Sequence, residues 1–238
     1  MDNRYYFDKN NFINNVIILD EKESHHLVNV RRGKAGDQIV CVNGDGKEYH
    51  GKISNISKRN VTVQIENVCE SQNNTNKTYN LYLAISKIDA LEESINKATQ
   101  LNISNIILFK SEFLPIKFDI MKIEKFKNII KQSAKQCERA TFPEITVINF
   151  DEMITDLKNY DDIILAYENA DKEYIPKNKS SNIAIIVGNE GGFSQHELEK
   201  IKKVKANIIS LGKTILRAPT AVASVVSIVM YTNGEFKK

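Results

Sequence analysis

Ile183-Ala184-Ile185-Ile186-Val187-Gly188-Asn189-Glu190-Gly191-Gly192-Phe193-Ser194 is the stretch that decides the fold. A short, wholly apolar run, 183–187, suits a strand covered on both faces. A glycine-rich turn follows, and Ser194 with Glu197 three residues on makes a capping box. Ser194 is therefore expected as the N-cap of a helix running to about residue 205. Buried strand, turn and helix together are the repeating unit of a parallel α/β sheet. The glycines let backbone come close to a ligand, and exposed amides in such a turn can donate hydrogen bonds. Gly-x-Gly-x-x-Gly is absent and no early strand carries it, so a nicotinamide dinucleotide is not the expected ligand.

Downstream lies a second motif, Leu211-Gly212-Lys213-Thr214-Ile215-Leu216-Arg217-Ala218-Pro219-Thr220-Ala221. It reads as the end of a strand, an irregular loop, and a helix opening near Pro219, where a missing N–H costs nothing. Residues 221–231 are apolar nearly all round, so that helix must be buried. Its small residues, Ala221, Ala223, Ser224 and Ser227, permit close packing against another helix or a second subunit. Arg217 is then a lone cation between a buried strand and a buried helix. It either bridges to a carboxylate or holds negative charge on a ligand.

Working back toward the N-terminus, further strands are expected at 81–85, 106–109, 145–148, 163–165 and 208–211, alternating with helices. Asp89 and Glu92 suggest the start of one helix, with Leu91, Ile95, Ala98 and Leu101 on its inner side. A longer helix is expected over about 122–139. At about 100° per residue, Ile123, Phe126, Ile129, Ile130, Ala134 and Cys137 fill one arc, while Lys127, Lys131, Lys135 and Arg139 recur every four residues opposite. That cationic stripe is either an ordinary solvated face or a contact for RNA phosphates.

Residues 1–70 have a different rhythm. Strand candidates lie at 16–19, 38–42 and 49–56, and Val61, Val63 and Ile65 alternate with polar neighbours. Asn43-Gly44-Asp45-Gly46 is a strong hairpin turn, and Asp20 with Glu23 caps a short helix through His25 and His26. A small β-barrel is expected. Ser71-Gln72-Asn73-Asn74-Thr75-Asn76-Lys77 holds no apolar residue, so 71–77 is the candidate linker to a second domain at 78–238.

Composition sets the outer bounds. The 238 residues are 42% hydrophobic and 26% charged, ordinary for a globular chain, and no apolar run approaches the roughly 20 residues of a membrane span. The opening residues lack a secretion pattern, so a cytoplasmic protein without membrane or metal partners is expected. Cys41, Cys69 and Cys137 are too scattered for a disulfide framework or a zinc site and read as reduced thiols. A net charge of +3 proves no nucleic-acid partner, but residues 110–139 carry eight Lys/Arg against four Asp/Glu, a local basic bias.

Taken together, the two motifs resemble the RsmE family of 16S ribosomal RNA uridine-N3 methyltransferases of the SPOUT superfamily. Gly188 to Ser194 and Glu197 match the family's Gly-Pro-Glu-Gly-Gly-Phe-Ser-x-x-Glu, except that Asn189 replaces the proline. Leu211, Gly212, Ile215, Leu216, Arg217, Thr220 and Ala221 match the second block, while Thr214, Ala218 and Pro219 depart from its Arg, Thr and Glu. Arg4-Tyr5-Tyr6, His25-His26 with Arg32, Lys97-Ala98-Thr99, Ser111-Glu112 and Gln136-Cys137 with Arg139 follow in the family's order. Phe113 stands where the family usually has Arg, and Lys135 where it often has Glu. Asn189 looks like the TrmH branch of ribose 2′-O-methyltransferases, although that branch's closing block is absent.

The resemblance implies a SPOUT-type trefoil-knotted parallel-sheet domain preceded by a small PUA-like β-barrel, working as a homodimer with S-adenosylmethionine on 16S ribosomal RNA of the small subunit. Carried over as cofactor-lining are Leu165, Ala166, Gly188, Asn189, Glu190, Gly191, Gly192, Leu211, Gly212, Ile215, Leu216, Arg217 and Ala221. Arg217 is the expected catalytic cation, stabilising charge on a uracil that loses its N3 proton, and Glu190 is expected to orient Arg217 or accept the proton. His26, Arg32, Lys127, Lys131, Lys135 and Arg139 are the expected RNA contacts. Two other readings remain at this point: ribose 2′-O-methylation of RNA, and a non-catalytic RNA-binding protein.

Overall fold

In a computed structural model the chain is described over residues 4–114, 118–170 and 180–236. It divides into two compact units. The first holds residues up to 74 together with 131–142, and the second holds 75–130 and 143 onward. The division is thus not one cut at the expected linker: part of the chain beyond it returns to the first unit.

The first unit is a curled six-stranded sheet in the order β1-β4-β5-β6-β3-β2. Its strands are β1 (Arg4–Tyr6), β2 (Phe12–Ile13), β3 (Val16–Ile18), β4 (Gln38–Val42), β5 (Lys47–Ile56) and β6 (Val61–Glu70). The β1–β4 pair is parallel and the others are antiparallel. Alternation decides the core: Val61, Val63 and Ile65 turn inward with Tyr5, Phe7, Ile17, Leu19, Ile39, Cys41 and Ile53, as a half-buried sheet requires. The Asp20 carboxylate accepts from Glu23 N at 2.8 Å and opens α1 (Glu21–His25). A wider turn continues it from His26 to Val30, closed by Arg31 N donating to His26 O at 3.0 Å. The polar stretch 71–77 is not free chain at its start, since Ser71 Oγ donates to Glu48 Oε1 at 2.7 Å and Asn74 Nδ2 donates to Gly46 O at 3.1 Å.

The second unit is an all-parallel sheet in the order β12-β10-β11-β7-β8-β9. The strands are β7 (Thr78–Ala84), β8 (Asn105–Lys110), β9 (Glu144–Asn149), β10 (Asp162–Ala166), β11 (Asn182–Val187) and β12 (Asn207–Ile209). The helices are α2 (Ile88–Gln100), α3 (Lys122–Gln136), α4 (Phe150–Asp156), α5 (Gln195–Lys203) and α6 (Ala218–Thr232). Tyr82, Ala84, Phe109, Leu165, Ala184 and Ile186 face Met153, Leu157, Leu198 and Ile201 of the α4–α5 side. Residues one out of phase, such as Leu81, Leu83 and Ile185, are equally buried. They point to the opposite face, where α2 and α6 pack on each other and α6 packs on β11. A sheet covered on both sides explains why these strands read as unbroken apolar runs.

Two local expectations shift. The α2 helix begins at Ile88 with Lys87 as N-cap, so Asp89 lies inside its first turn. The α3 helix ends at Gln136, because Glu138 takes a positive φ of 59° and breaks the helical path.

Candidate functional site

Sheet order explains where a site forms. β10 lies between β12 and β11 with all three parallel, so the loops that follow them leave from one edge of the sheet. Such an edge, at the carboxyl ends of parallel strands, is the usual place for a ligand. The three loops enclose a cavity of about 340 Å3. Its walls are Ala166, Tyr167 and Glu168 after β10, Val187 to Phe193 after β11, and Leu211, Gly212 and Thr214 to Ala218 after β12, with Ala221 of α6.

Ser194 caps α5 as expected: its Oγ accepts from Glu197 N at 3.1 Å. Glu197 closes the box and does more. Its side chain is fully buried, Oε2 accepts from Ser194 N at 3.0 Å, and Oε1 accepts from Glu112 N at 2.9 Å. One carboxylate thereby ties the exit of the glycine turn to the segment after β8. Within the turn, Gly192 has φ +67°, which a side chain would strain. A Cβ on Gly188 would sit 2.8 Å from Phe193 Cε2. The turn is sequence-specific at both ends.

The turn's amides are not the free donors the sequence suggested. Gly191 N donates to Asn189 Oδ1 at 3.0 Å, and Gly192 N donates to Asn189 O at 3.0 Å. With Ser194 N held by Glu197, three amides of the loop, at Gly191, Gly192 and Ser194, are already occupied. This chemistry disfavours a phosphorylated ligand and suits a nucleoside without phosphate, whose flat base needs apolar walls and whose charged end needs side chains. The cavity offers both: Val187, Phe193, Leu211, Leu216, Ala218 and Ala221 are apolar, and Glu168, Glu190 and Arg217 are charged. S-adenosylmethionine, an adenine nucleoside bearing an amino acid and no phosphate, fits this donor set.

Of the expected cofactor residues, all but one line the cavity. Leu165 does not: it is fully buried in β10 and supports the wall from behind, since its neighbour Ala166 takes the outward place. Tyr167, Glu168, Val187, Phe193, Thr214 and Ala218 were missed. The rule that ligands sit beyond strand ends points to Tyr167 and Glu168, but the sequence does not show that β10 neighbours β11. Arg217 is exposed and precedes α6 as its N-cap. Among the described residues no carboxylate pairs with it, and Glu190, also exposed, makes no ion pair. Arg217 and Glu190 are both exposed, with no ion pair between them among the described residues.

The expected RNA contacts divide. His26 is half-buried beside Tyr5, with ring centroids 6.1 Å apart, whereas Arg32 is exposed. Lys127 is exposed and pairs with Glu124 at 2.7 Å. Lys131 Nζ lies 4.3 Å from the centroid of the Tyr6 ring, a cation–π distance. Lys135 and Arg139 are corrections to the stripe. Lys135 pairs with Glu23 at 2.7 Å, with side chains only 15% and 7% exposed. Arg139 is 4% exposed and its Nε donates to Thr141 Oγ1 at 2.8 Å. Burial lowers the Arg139 guanidinium to a pKa of about 10. Lys135 ties residues 131–142 to Glu23 of the first unit and Arg139 is buried, so the spacing of four reflects a face turned inward at its C-terminal end.

Comparison with known proteins places the fold and the cavity in one class. Residues 73–230 match an RNA methyltransferase domain, and residues 19–66 match an RNA methyltransferase PUA domain. The chain is an RNA methyltransferase. It is 32% identical over 231 residues to ribosomal RNA small subunit methyltransferase E of Rickettsia conorii, covering 94% of this chain and 93% of the relative. The same-named protein of Bacillus subtilis is 30% identical over 227 residues, with 88% of each covered. A putative methyltransferase of Legionella pneumophila, solved with bound S-adenosylmethionine, superposes with a TM-score of 0.85 at 26% identity, covering 97% of this chain and 98% of that one. The chain belongs to the ribosomal RNA small subunit methyltransferase E family.

Proposed function

We propose that the protein methylates N3 of a uridine in 16S ribosomal RNA of the small ribosomal subunit, in the cytoplasm and as a homodimer. One observation carries the reading: Arg217, without an ion-pair partner among the described residues, stands on a cavity whose Gly191 and Gly192 amides are already bonded within the turn. S-adenosylmethionine, held by the loops after β10, β11 and β12, supplies an electrophilic methyl group. The protein's part is alignment, charge stabilisation and removal of one proton. A uridine N3 reacts only as its proton leaves, and the charge then spreads to the two uracil oxygens. Arg217, exposed and unpaired, is free to donate to one of them, and Glu190 is free to take the N3 proton on its carboxylate. Their lack of a mutual ion pair favours separate roles. Turning the base out of its stack costs a few kcal/mol, which contacts from His26, Arg32, Lys127 and Lys131 offset.

Support for a homodimer comes from large apolar side chains left exposed in the second unit: Ile215 on the cavity loop, 86% exposed, and Tyr231 on α6, 72% exposed. A threaded, knotted path belongs to the same reading and rests on the family resemblance alone. The residues before 75 act as the RNA-binding domain of this reading, and those after 77 as the catalytic one.

The test is mass spectrometry of nucleosides from 16S ribosomal RNA, free or in small subunits, treated with the protein and S-adenosylmethionine. 3-Methyluridine is expected, and Arg217→Ala should lower its yield at least about 100-fold at an unchanged melting temperature. A 2′-O-methylated product would instead establish ribose methylation and refute the N3 assignment.

A further inference from the structure

Asn189 occupies the position where the family resemblance expects proline, and its side chain is 8% exposed with every polar atom engaged. Its Nδ2 lies within hydrogen-bond distance of Ile85 O at 3.0 Å, Ser111 Oγ at 3.0 Å and Phe113 O at 2.8 Å, three oxygens that share its two N–H groups. Its Oδ1 accepts from Gly191 N at 3.0 Å. Ile85 follows β7, and Ser111 and Phe113 follow β8, the two strands beyond β11 on the side away from the cavity's other loops. The amide therefore ties the cavity turn to the carboxyl ends of two neighbouring strands at once.

We propose that Asn189 is the positioning residue of the cofactor site: its side chain fixes the shape in which the glycine turn meets S-adenosylmethionine. The inference rests on the cofactor reading of this cavity.

Three features of the chemistry make the role specific. Two of the three partners of Nδ2, Ile85 O and Phe113 O, are carbonyls that can only accept, and the partner of Oδ1 is an N–H that can only donate, so an amide satisfies both sides. Aspartate would turn an oxygen toward two carbonyl oxygens, Ile85 O and Phe113 O. Alanine would leave a buried amide N–H at Gly191 and several acceptors without partners. Second, Gly188, Glu190, Gly191 and Gly192 line the cavity on either side of this anchor, and Glu190 has no side-chain partner among the described residues to hold it otherwise. Third, Gly191 packs so closely on the tethered segment that a Cβ there would lie 2.8 Å from Phe113 Cβ. Glu197 ties the exit of the turn to this segment through Glu112 N, and Asn189 ties the cavity-lining part of the turn to it through Ser111 and Phe113. Proline limits such a turn by fixing its own φ. This chain obtains the same restriction from hydrogen bonds.

Calorimetric titration of the full-length protein with S-adenosylmethionine, paired with thermal melting, tests the assignment. Asn189→Asp and Asn189→Ala should raise the cofactor Kd about tenfold or more, with KM for the cofactor rising by a similar factor and kcat falling less. Asn80→Ala supplies the control for mere destabilisation. Asn80 is buried in β7, where its Nδ2 donates to Asn182 Oδ1 at 2.9 Å and Ile183 O at 3.2 Å, far along the strands from the turn. It should lower the melting temperature and leave Kd within about twofold. Ser111→Ala removes a single acceptor and covers the case in which the larger changes fail to fold, with a Kd rise of about threefold expected. Position 189 variants that bind like wild type, or an unchanged Kd in Ser111→Ala, overturn the proposal while leaving the cofactor site standing. A wild-type protein that binds no cofactor overturns both.

Discussion

Removing the Glu197 carboxylate is the most decisive perturbation of the fold around the site. Its two oxygens each accept one backbone N–H, from Ser194 at 3.0 Å and from Glu112 at 2.9 Å, in a fully buried position. A hydrogen bond to a charged group contributes about 1.5–3 kcal/mol, so Glu197→Ala should cost about 3–5 kcal/mol, since both N–H groups stay buried without partners. At roughly 2–4 °C per kcal/mol for a chain of this size, the melting temperature should fall by roughly 6–20 °C. Glu197→Gln keeps one accepting oxygen and should lose about half as much. Scanning calorimetry and urea titration at neutral pH read both variants. A fall below about 3 °C for Glu197→Ala would refute the argument that this carboxylate, rather than general packing, joins the turn to the segment after β8.

Three further outcomes follow from the first unit. Lys135→Ala should destabilise by about 3 kcal/mol in urea titration, because it leaves the Glu23 carboxylate buried without its cation; pairing it with Glu23→Gln should recover part of that loss. Burial would raise the Glu48 carboxyl, but the Ser71 hydroxyl and the Arg4 guanidinium outweigh burial and hold it below its ordinary 4.5. Its contribution is thus complete above the unfolded value and is lost as pH falls through the lower folded value, so Glu48→Gln should flatten the loss of stability below about pH 4.5 in urea midpoints. Burial, reinforced by nearby Glu23, raises the Cys41 thiol, burial raises Cys137, and Cys69 is exposed. Cys69 should react first with an aromatic disulfide reagent, Cys41 only on unfolding, and rapid native labelling of Cys41 would contradict its buried place.

The sequence by itself determined the elements and the two loops of the site. Apolar runs such as 183–187 and 106–109 announce buried parallel strands because a sheet covered on both faces needs apolar residues at every position. Alternation at Val61, Val63 and Ile65 announces the half-buried sheet of the first unit for the opposite reason. Ser194 and Glu197 mark a helix start since capping is a local bargain between residues three apart. The cavity-lining positions Gly188, Gly192 and Leu216 were legible because they sit inside recognisable motifs.

Only the tertiary structure decided what those residues do for one another. Strand order is set by long-range pairing, so nothing local reveals that β10 lies between β11 and β12 and brings Tyr167 and Glu168 into the cavity. A spacing of four places Lys135 and Arg139 in line with Lys127, but which way a helix face turns depends on what packs against it. Asn189 reads in sequence as a departure from a pattern. In space its one amide reaches residues 104, 78 and 76 positions away, a set of contacts that exists only after the sheet has assembled.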